Sequence, residues 1–326
     1  MPLILSREQV RTLLDMGPAI DAVEGALIEF SAGHAVMPVR VTTQIPAHSG
    51  IMLGMPAFLG TTNAVGTKIV TVYKNNPSRG LPTILAVVVV NDPETGAVIA
   101  IMDGGYLTAV RTAAASAVAT KYLATPGDKV VGILGIGVQG ESHLWAMTKV
   151  ANVSRAVIYN RSSEKAAAFK AAMESRYGVA IDLASSEEEV CRVSDILVLA
   201  TTAAEPIIQH AWLKSGVHIN AVGSHSLGAR ELDSDTVAAA RIIVDSREAN
   251  NKECGDLLIP MKEGRITATQ FEDEIGEIAA GTKVGRRSDS EITLFKSVGI
   301  AVEDVATANL VYKAALAQNV GTSVEL

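Results

Sequence analysis

Residues 128–161 read DKVVGILGIGVQGESHLWAMTKVANVSRAVIYNR, and the order of residue types along this stretch decides the architecture. Lys129 to Leu134 is a short apolar run rich in β-branched residues, and it ends at Gly135, Gly137 and Gly140 in a G-x-G-x-x-G spacing. Val138 to Val150 then places apolar residues at helical spacing, and Arg155 to Tyr159 reads as a second strand. Strand, glycine loop, helix and strand in that order make the βαβ unit that binds a dinucleotide. The first glycine allows the tight turn, the second lets the backbone approach a pyrophosphate, and the third lets helix and strand pack closely. The helix start offers unpaired N–H groups and a positive dipole end to the phosphates. With 27 glycines in 326 residues, the same spacing also arises as an ordinary strand-to-helix turn. The correct flanks on both sides favour the cofactor reading.

The end of the second strand bears on which dinucleotide fits. A site for NAD usually places Asp or Glu there, to accept from the ribose 2′-hydroxyl. This strand ends Tyr159-Asn160-Arg161-Ser162-Ser163, with no carboxylate in that position. Arg161 can pair with a 2′-phosphate, and the serine hydroxyls can donate to it, so NADP(H) is the preferred form and NAD(H) a possible one. The plainer reading makes Arg161 a solvated strand-end charge and Ser162 or Ser163 the cap of the next helix. Both can hold together.

The composition is that of a globular α/β protein, with 48% hydrophobic, 19% charged and 4% aromatic residues, and its length suggests two domains. A net charge of −7 argues against nucleic acid or an anionic membrane as the main partner. Cys191 and Cys254 lie far apart and form no C-x-x-C pair, as expected of inert thiols in a reducing compartment. The start MPLILSREQV lacks a basic region, and the longest apolar run, Ile84 to Val90, is too short to span a bilayer. A cytoplasmic enzyme is the expectation. None of His34, His48, His143, His210, His218 and His225 has metal-ligand spacing, and no G-x-S-x-G elbow is present.

In chain order, residues 7 to 33 predict two helices with Ser6 as N-cap and a break around Gly17-Pro18. From Val39 to Val90 the pattern becomes short β-branched segments, VRVTTQI, GIMLGMP, AVGTKIVTVY and PTILAVVVVND, followed after a turn by AVIAIMDG. This predicts a mostly antiparallel sheet. Leu107 to Ala124 is alanine-rich and helical. Beyond the glycine loop, VVGIL, AVIYN, ILVLAT, HINAVG and RIIVDS predict parallel strands, with helices near 138–150, 164–177, 186–193, 209–215 and 230–239. That alternation is the signature of a doubly wound sheet. The last 25 or so residues are helical and are expected to cross back onto the N-terminal part. The reading is an α/β fold: a Rossmann NAD(P)-binding domain at 121–301, and an α+β substrate-binding and dimerisation domain made of 1–120 and 302–326.

Three cations stand in apolar surroundings in the first domain: Arg40 in MPVRV, Lys68 in VGTKIV and Arg111 in LTAVRTAAAS. Clamping a substrate carboxylate against a nicotinamide is a common use for such groups. Pattern alone equally allows an edge-strand charge for Arg40, a snorkelling lysine for Lys68 and a buried ion pair for Arg111. The chain resembles the ornithine cyclodeaminase and mu-crystallin family. The resemblance is carried by Met37-Pro38-Val39-Arg40, Met55-Pro56, Gly66-Thr67-Lys68, Asn76-Pro77 through Gly80-Leu81-Pro82-Thr83, Met102-Asp103-Gly104, and Leu107 through Ala114. It continues in Gly135 through Gln139, Ile219 through Gly223, Arg230 through Asp233, and Ser297-Val298-Gly299 with Asp304. It runs over essentially the whole length.

The resemblance implies a homodimer whose N-terminal sheets meet in a shared barrel, with a Rossmann domain on each flank. It implies that Arg40, Lys68 and Arg111 surround the carboxylate of a small imino or amino acid, with Met55 on the same substrate side and Lys68 close to the reacting carbon and nitrogen. Thr83, Arg111 and Thr112 become cofactor contacts from the first domain. Gly135, Gly137, Val138 and Gln139 touch the pyrophosphate, Asn160, Arg161 and Ser162 stand at the ribose end, and Val222-Gly223 and Val298-Gly299 line the nicotinamide. Family members that cyclise ornithine carry Gly-Asp after I-N-A-V-G, whereas this chain has Ser224 and His225. A neutral or cationic pair suits proton donation to an imine nitrogen, a role open to His225, which can equally bond backbone at the strand end. The expected activity is therefore NAD(P)H-dependent reduction of a cyclic ketimine carboxylate, Δ1-pyrroline-2-carboxylate or Δ1-piperideine-2-carboxylate. Ornithine cyclodeaminase, alanine dehydrogenase and a non-catalytic NADPH-dependent binder like mu-crystallin are the alternatives.

Overall fold

The computed structural model describes residues 1–224 and 226–325. The chain divides into two compact units, Met1–Arg111 with Ile300–Leu326, and Thr112–Gly299. The sequence-based boundaries at 120/121 and 301/302 lie beyond these divisions. One unbroken helix, Gly104–Leu123, carries the first division, so the residue pattern has no interruption to mark it.

The first unit is built on an eight-stranded sheet. Its order is Thr322–Ser323, Leu3–Leu5, Val98–Asp103, Ile84–Asn91, Ala64–Tyr73, Gly50–Leu59 and Ala35–Val36, with Val41–Ile45 also paired to Gly50–Leu59. All pairings are antiparallel except that of Leu3–Leu5 with Val98–Asp103. Helices Met16–Ser31 and Ala301–Gln318 pack on each other, and the C-terminal helix also lies on strands Gly50–Leu59 and Ala64–Tyr73. The crossing back expected of the C-terminal residues is thus present. The two N-terminal helices, Arg7–Leu13 and Met16–Ser31, break at Leu14-Asp15 instead of Gly17-Pro18. Pro18 sits in the first turn of the second helix, where its missing N–H has no helical partner to lose.

The second unit is a seven-stranded parallel sheet in the order Ile181–Leu183, Val153–Tyr159, Lys129–Leu134, Ile196–Leu199, His218–Ala221, Thr293–Lys296 and Arg241–Val244. Counted from the glycine-loop strand, the first five follow the doubly wound order 3-2-1-4-5. The order reverses between Lys129–Leu134 and Ile196–Leu199, which is where Gly135 begins the loop. The sequence reading lacks Thr293–Lys296, which inserts between His218–Ala221 and Arg241–Val244. Four residues ending in a lysine do not look like a buried strand, yet all four are buried. Two helical expectations also shrink: 209–215 is a single 3-10 turn, His210–Trp212, and 230–239 becomes Ser234–Ala239 behind the N-cap Asp233. Helices Arg247–Glu253 and Gly255–Lys262 follow, both outside the sequence reading.

His143, on the helix after the glycine loop, is wholly buried. Its Nδ1 lies 2.7 Å from the Gln139 carbonyl and its Nε2 2.9 Å from Ser116 Oγ. A carbonyl only accepts, so the hydrogen sits on Nδ1, and Nε2 accepts from the serine. Burial pushes the His143 pKa down to about 4. Between its ordinary value near 6.5 and about 4, the unfolded chain binds a proton that the folded chain refuses. Stability is therefore full above pH 6.5 and falls as the pH drops toward 4. Going from pH 7 to 5, this residue alone should remove about 2 kcal/mol. The variant His143→Gln should lose correspondingly less over that interval than the wild type in urea unfolding, and an equal loss in both would contradict the assignment.

Candidate functional site

In the second unit, Gly135 has φ +105, and a Cβ there would lie 2.4 Å from the Ala200 carbonyl oxygen. Only glycine fits that turn. A Cβ on Gly140 would lie 2.3 Å from the Gly135 carbonyl oxygen, so the third glycine lets the helix close onto the loop. At Gly137, the N-cap of helix Val138–Val150, a Cβ would meet nothing within 4 Å. The loop is therefore tight on its protein side and open at its middle glycine. Exposed Val138 and half-buried Gln139 begin the helix whose amide hydrogens point out of that end. These features fit a dinucleotide pyrophosphate. At the neighbouring strand end, Asn160 Oδ1 accepts from the Ser162 amide at 2.9 Å, Ser162 Oγ caps the next helix through the Lys165 amide, and Arg161 is exposed. The capping role foreseen for Ser162 is thus occupied, while its hydroxyl hydrogen remains a donor.

The loops at the carboxyl ends of the other strands are held by buried acids to which the sequence reading assigns no role. Asp245 is fully buried; its Oδ2 accepts from Ser297 Oγ at 2.8 Å and from the amides of Val298 and Gly299 at 2.9 and 2.8 Å. Glu231 accepts from the Thr201 amide and hydroxyl and from the Gly223 amide, so one carboxylate ties together two strand ends. Burial raises the Glu231 pKa, with Lys296 opposing. Asp256 Oδ1 accepts from the amides of Glu231 and Leu232. Lys296, with no exposed surface, makes an ion pair with Asp256 at 2.9 Å and donates to the Ser224 carbonyl at 2.7 Å. Burial acts against the Lys296 charge, but Asp256 and its neighbours outweigh it and raise the pKa. Ser224 Oγ donates to the Ala229 carbonyl at 2.6 Å. His225 lies outside the described residues.

In the first unit, Lys68 on strand Ala64–Tyr73 and Arg111 on helix Gly104–Leu123 meet the first turn of helix Ala301–Gln318. Asp304 Oδ1 accepts from Lys68 Nζ at 2.8 Å and from Arg111 Nε at 2.8 Å, while Glu303 Oε2 accepts from Arg111 Nη1 at 2.7 Å. All four side chains are buried. The foreseen buried ion pair of Arg111 and the convergence of Arg111 with Lys68 are therefore both present, with Glu303 as an addition that spacing did not offer. Burial first, then the nearby Arg111 charge, push the Lys68 pKa down to about 8, with Asp304 and Glu303 opposing. Burial also works against the Arg111 charge, but the two carboxylates outweigh it and raise the pKa. Met55 is buried directly across the ladder from Lys68. Arg40 is half-buried just before strand Val41–Ile45, Thr83 is half-buried with its carbonyl accepting from the Tyr73 amide, and Thr112 is buried on its helix.

Both cysteines are buried, and burial pushes each thiol up to about 12, which leaves them protonated and unreactive. Among the described residues no His, Cys, Asp and Glu cluster could hold a metal, and no helix is long and apolar enough to cross a membrane.

A Rossmann unit with an open glycine loop, joined to a mixed-sheet unit that buries two cations against two carboxylates, defines a class of two-unit nucleotide-binding proteins. This chain belongs to the ornithine cyclodeaminase/mu-crystallin family, which it matches over residues 1–319. A Δ1-pyrroline-2-carboxylate reductase of Bacillus cereus is 39% identical over 324 residues, 99% of each chain. The structure of the Thermococcus litoralis Δ1-pyrroline-2-carboxylate reductase in complex with NADH and L-proline is similar at a TM-score of 0.96 and 45% identity, covering 99% of this chain and 100% of that one. An archaeal alanine dehydrogenase dimer with bound NAD is similar at a TM-score of 0.94 and 37% identity, covering 99% of both chains.

Removing the Lys296 ammonium leaves Asp256 and Glu231 as uncompensated buried acids. The variant Lys296→Met should lower the unfolding free energy by about 3–5 kcal/mol. Pairing it with Asp256→Leu should recover much of that loss in urea titration, since no isolated charge then remains at the pair. A single variant with wild-type stability would remove the pair from the structure's supports.

Proposed function

We propose that this protein is an NAD(P)H-dependent imine reductase that reduces Δ1-pyrroline-2-carboxylate, or its six-membered homologue, to the cyclic L-amino acid. The observation that carries this is the buried Lys68–Arg111 pair, in a chain 45% identical to a reductase whose complex holds NADH and L-proline. When bound, a reduced nicotinamide would supply the hydride for the carbon of the C=N bond. Arg111 offers a permanent charge for the carboxylate on that carbon, and Arg40 is proposed to share it. Lys68, with its pKa near 8, is mostly protonated at neutral pH yet a stronger acid than an exposed lysine. It gives a proton to the nitrogen as that atom takes the C=N electron pair, then regains one from water. Gly135, Gly137, Val138 and Gln139 hold the pyrophosphate, with Val222-Gly223 and Val298-Gly299 at the nicotinamide end and Thr83 and Thr112 as further cofactor contacts. His225 remains part of the proposal as a second proton donor.

Preference for NADPH rests on exposed Arg161 and on the lack of an acid at that strand end. The relatives described above hold NADH and NAD, so both forms are substrates in this proposal. A homodimer is part of the same reading. Val41, Met52, Ile69 and Leu85 share the sheet face opposite Lys68 and stand 40–67% exposed. An apolar sheet face of that kind calls for a cover, and a second copy supplies it. Sedimentation should give the dimer mass for the wild type and the monomer mass for Ile69→Glu.

The deciding assay follows the absorbance of the reduced nicotinamide with pyrroline-2-carboxylate, with pyruvate plus ammonium, and with ornithine. Oxidation of NAD(P)H with the ketimine, at a kcat/KM at least about tenfold above that with pyruvate plus ammonium, supports the reductase. Net turnover only with pyruvate plus ammonium makes it an alanine dehydrogenase, and ammonia release from ornithine without net oxidation makes it a cyclodeaminase. In the same assay Arg161→Ala should raise the NADPH dissociation constant at least about tenfold and leave that of NADH nearly unchanged. Equal losses would remove Arg161 from the site.

A further inference from the structure

Asp304 occupies an unusual position for a carboxylate. One of its oxygens, Oδ1, accepts from both Lys68 Nζ and Arg111 Nε at 2.8 Å. Its other oxygen, Oδ2, is buried and accepts no hydrogen bond among the described residues. The side chain stands in the first turn of helix Ala301–Gln318 and is separated from Lys68 by 236 residues of chain. Strand Ala64–Tyr73 delivers the lysine to it between the ladder partners Met55 and Val88, both apolar. The charged groups acting on Lys68 are thus Arg111 from one helix and Glu303 with Asp304 from another.

We propose that Asp304 is a positioning residue for the reduction: its Oδ1 fixes the Lys68 ammonium and the Arg111 guanidinium as one unit, and its charge keeps Lys68 protonated at the pH where the enzyme works. This rests on the reductase reading above. Burial and Arg111 both favour the neutral amine, and a neutral amine has no proton to give to the ketimine nitrogen. Asp304 is the largest opposing influence, through its charge and then through its hydrogen bond, with Glu303 behind it. A carboxylate at hydrogen-bond distance commonly moves a partner's pKa by about 1–3 units. Without it, Lys68 would be substantially neutral at pH 7, while the cofactor loop in the second unit would be untouched.

The test is Asp304→Asn, which keeps the side chain's size and removes its charge, with Asp304→Glu as the charge-retaining counterpart. The limb of the kcat profile that falls as pH rises should lie near pH 8 in the wild type and at least about one unit lower in Asp304→Asn. Its kcat at pH 8 should then fall at least about fivefold, far more than at pH 6, while NADH affinity stays within about twofold. Asp304→Glu should return the limb toward the wild-type position. A second readout needs no turnover. Calorimetry of pyrrole-2-carboxylate binding at pH 7, in two buffers of different ionisation enthalpy, should show proton uptake several-fold larger in Asp304→Asn, because the anion recharges a lysine that has become neutral. Parallel pH profiles and equal proton uptake would overturn the proposal and leave the reductase assignment standing. Should Asp304→Asn fail to fold, Asp304→Glu decides: a wild-type limb and wild-type uptake support the proposal, and a displaced limb overturns it. A wild-type protein inert toward the ketimine would overturn both.

Discussion

A charge taken out of water must find an opposite charge or donors enough to replace the solvent, and much of this molecule is arranged to satisfy that demand. In the first unit Lys68 and Arg111 are buried, and Glu303 and Asp304 answer them. In the second, Lys296 is buried and Asp256 answers it. Apolar side chains of similar size usually fill such places at no loss of stability, and often with a gain. Stability alone therefore gives no reason for the first cluster. The proposed reduction gives one: cations already desolvated and fixed in place need no rearrangement when charge develops beside a bound carboxylate.

The same demand shapes the rim of the parallel sheet. Loops that follow parallel strands carry amide hydrogens that the ladder no longer uses. Here Asp245 takes those of Val298 and Gly299, and Glu231 takes those of Thr201 and Gly223. Asp256 in turn holds the backbone of Glu231, and Lys296 holds Asp256 together with the Ser224 carbonyl. The chain of contacts runs through the strand ends beside the point where the sheet order reverses, the usual place for a nucleotide in such sheets. The rim is thus fixed by paired groups, and the glycine loop is fixed by close backbone approach at Gly135 and Gly140.

How much of this the sequence revealed depends on the range of each interaction. The glycine loop and its flanking strand and helix were legible because every determinant lies within about thirty residues and has its own period. Lys68 and Arg111 stood out as cations among alanines and valines. Their pairing with acids did not: Glu303 had no signal and Asp304 entered only through the family resemblance, since the two are separated from the cations by 192 to 236 residues. Two acids opening an apolar helix look like an ordinary favourable first turn. Strand Thr293–Lys296 was hidden for the same reason: its lysine reads as an exposed end until Asp256, on a helix that was itself missed, is placed beside it. The break between the first two helices lies before Gly17-Pro18 because a Gly-Pro that resembles a stop signal is also at home in a first turn.

The distribution of acids bears on the direction of the chemistry. Cyclising a diamine calls for a base at its amino group, and the family resemblance implies an aspartate after I-N-A-V-G in members that cyclise ornithine. This chain has His225 in that place and Ser224 before it, whose hydroxyl is committed to the Ala229 carbonyl. The acids next to Lys68 and Arg111 are engaged with those cations, so they act on the charge state of the cluster and not as a spare base. In the proposed reduction, what the cluster supplies is a proton on a lysine whose pKa is pushed down to about 8, beside a permanent positive charge. A proton held in readiness next to an anion-binding group serves the reduction of a C=N bond and offers little to the deprotonation of an amine. The charge balance of the buried cluster thus points the same way as the absence of a carboxylate at positions 224 and 225.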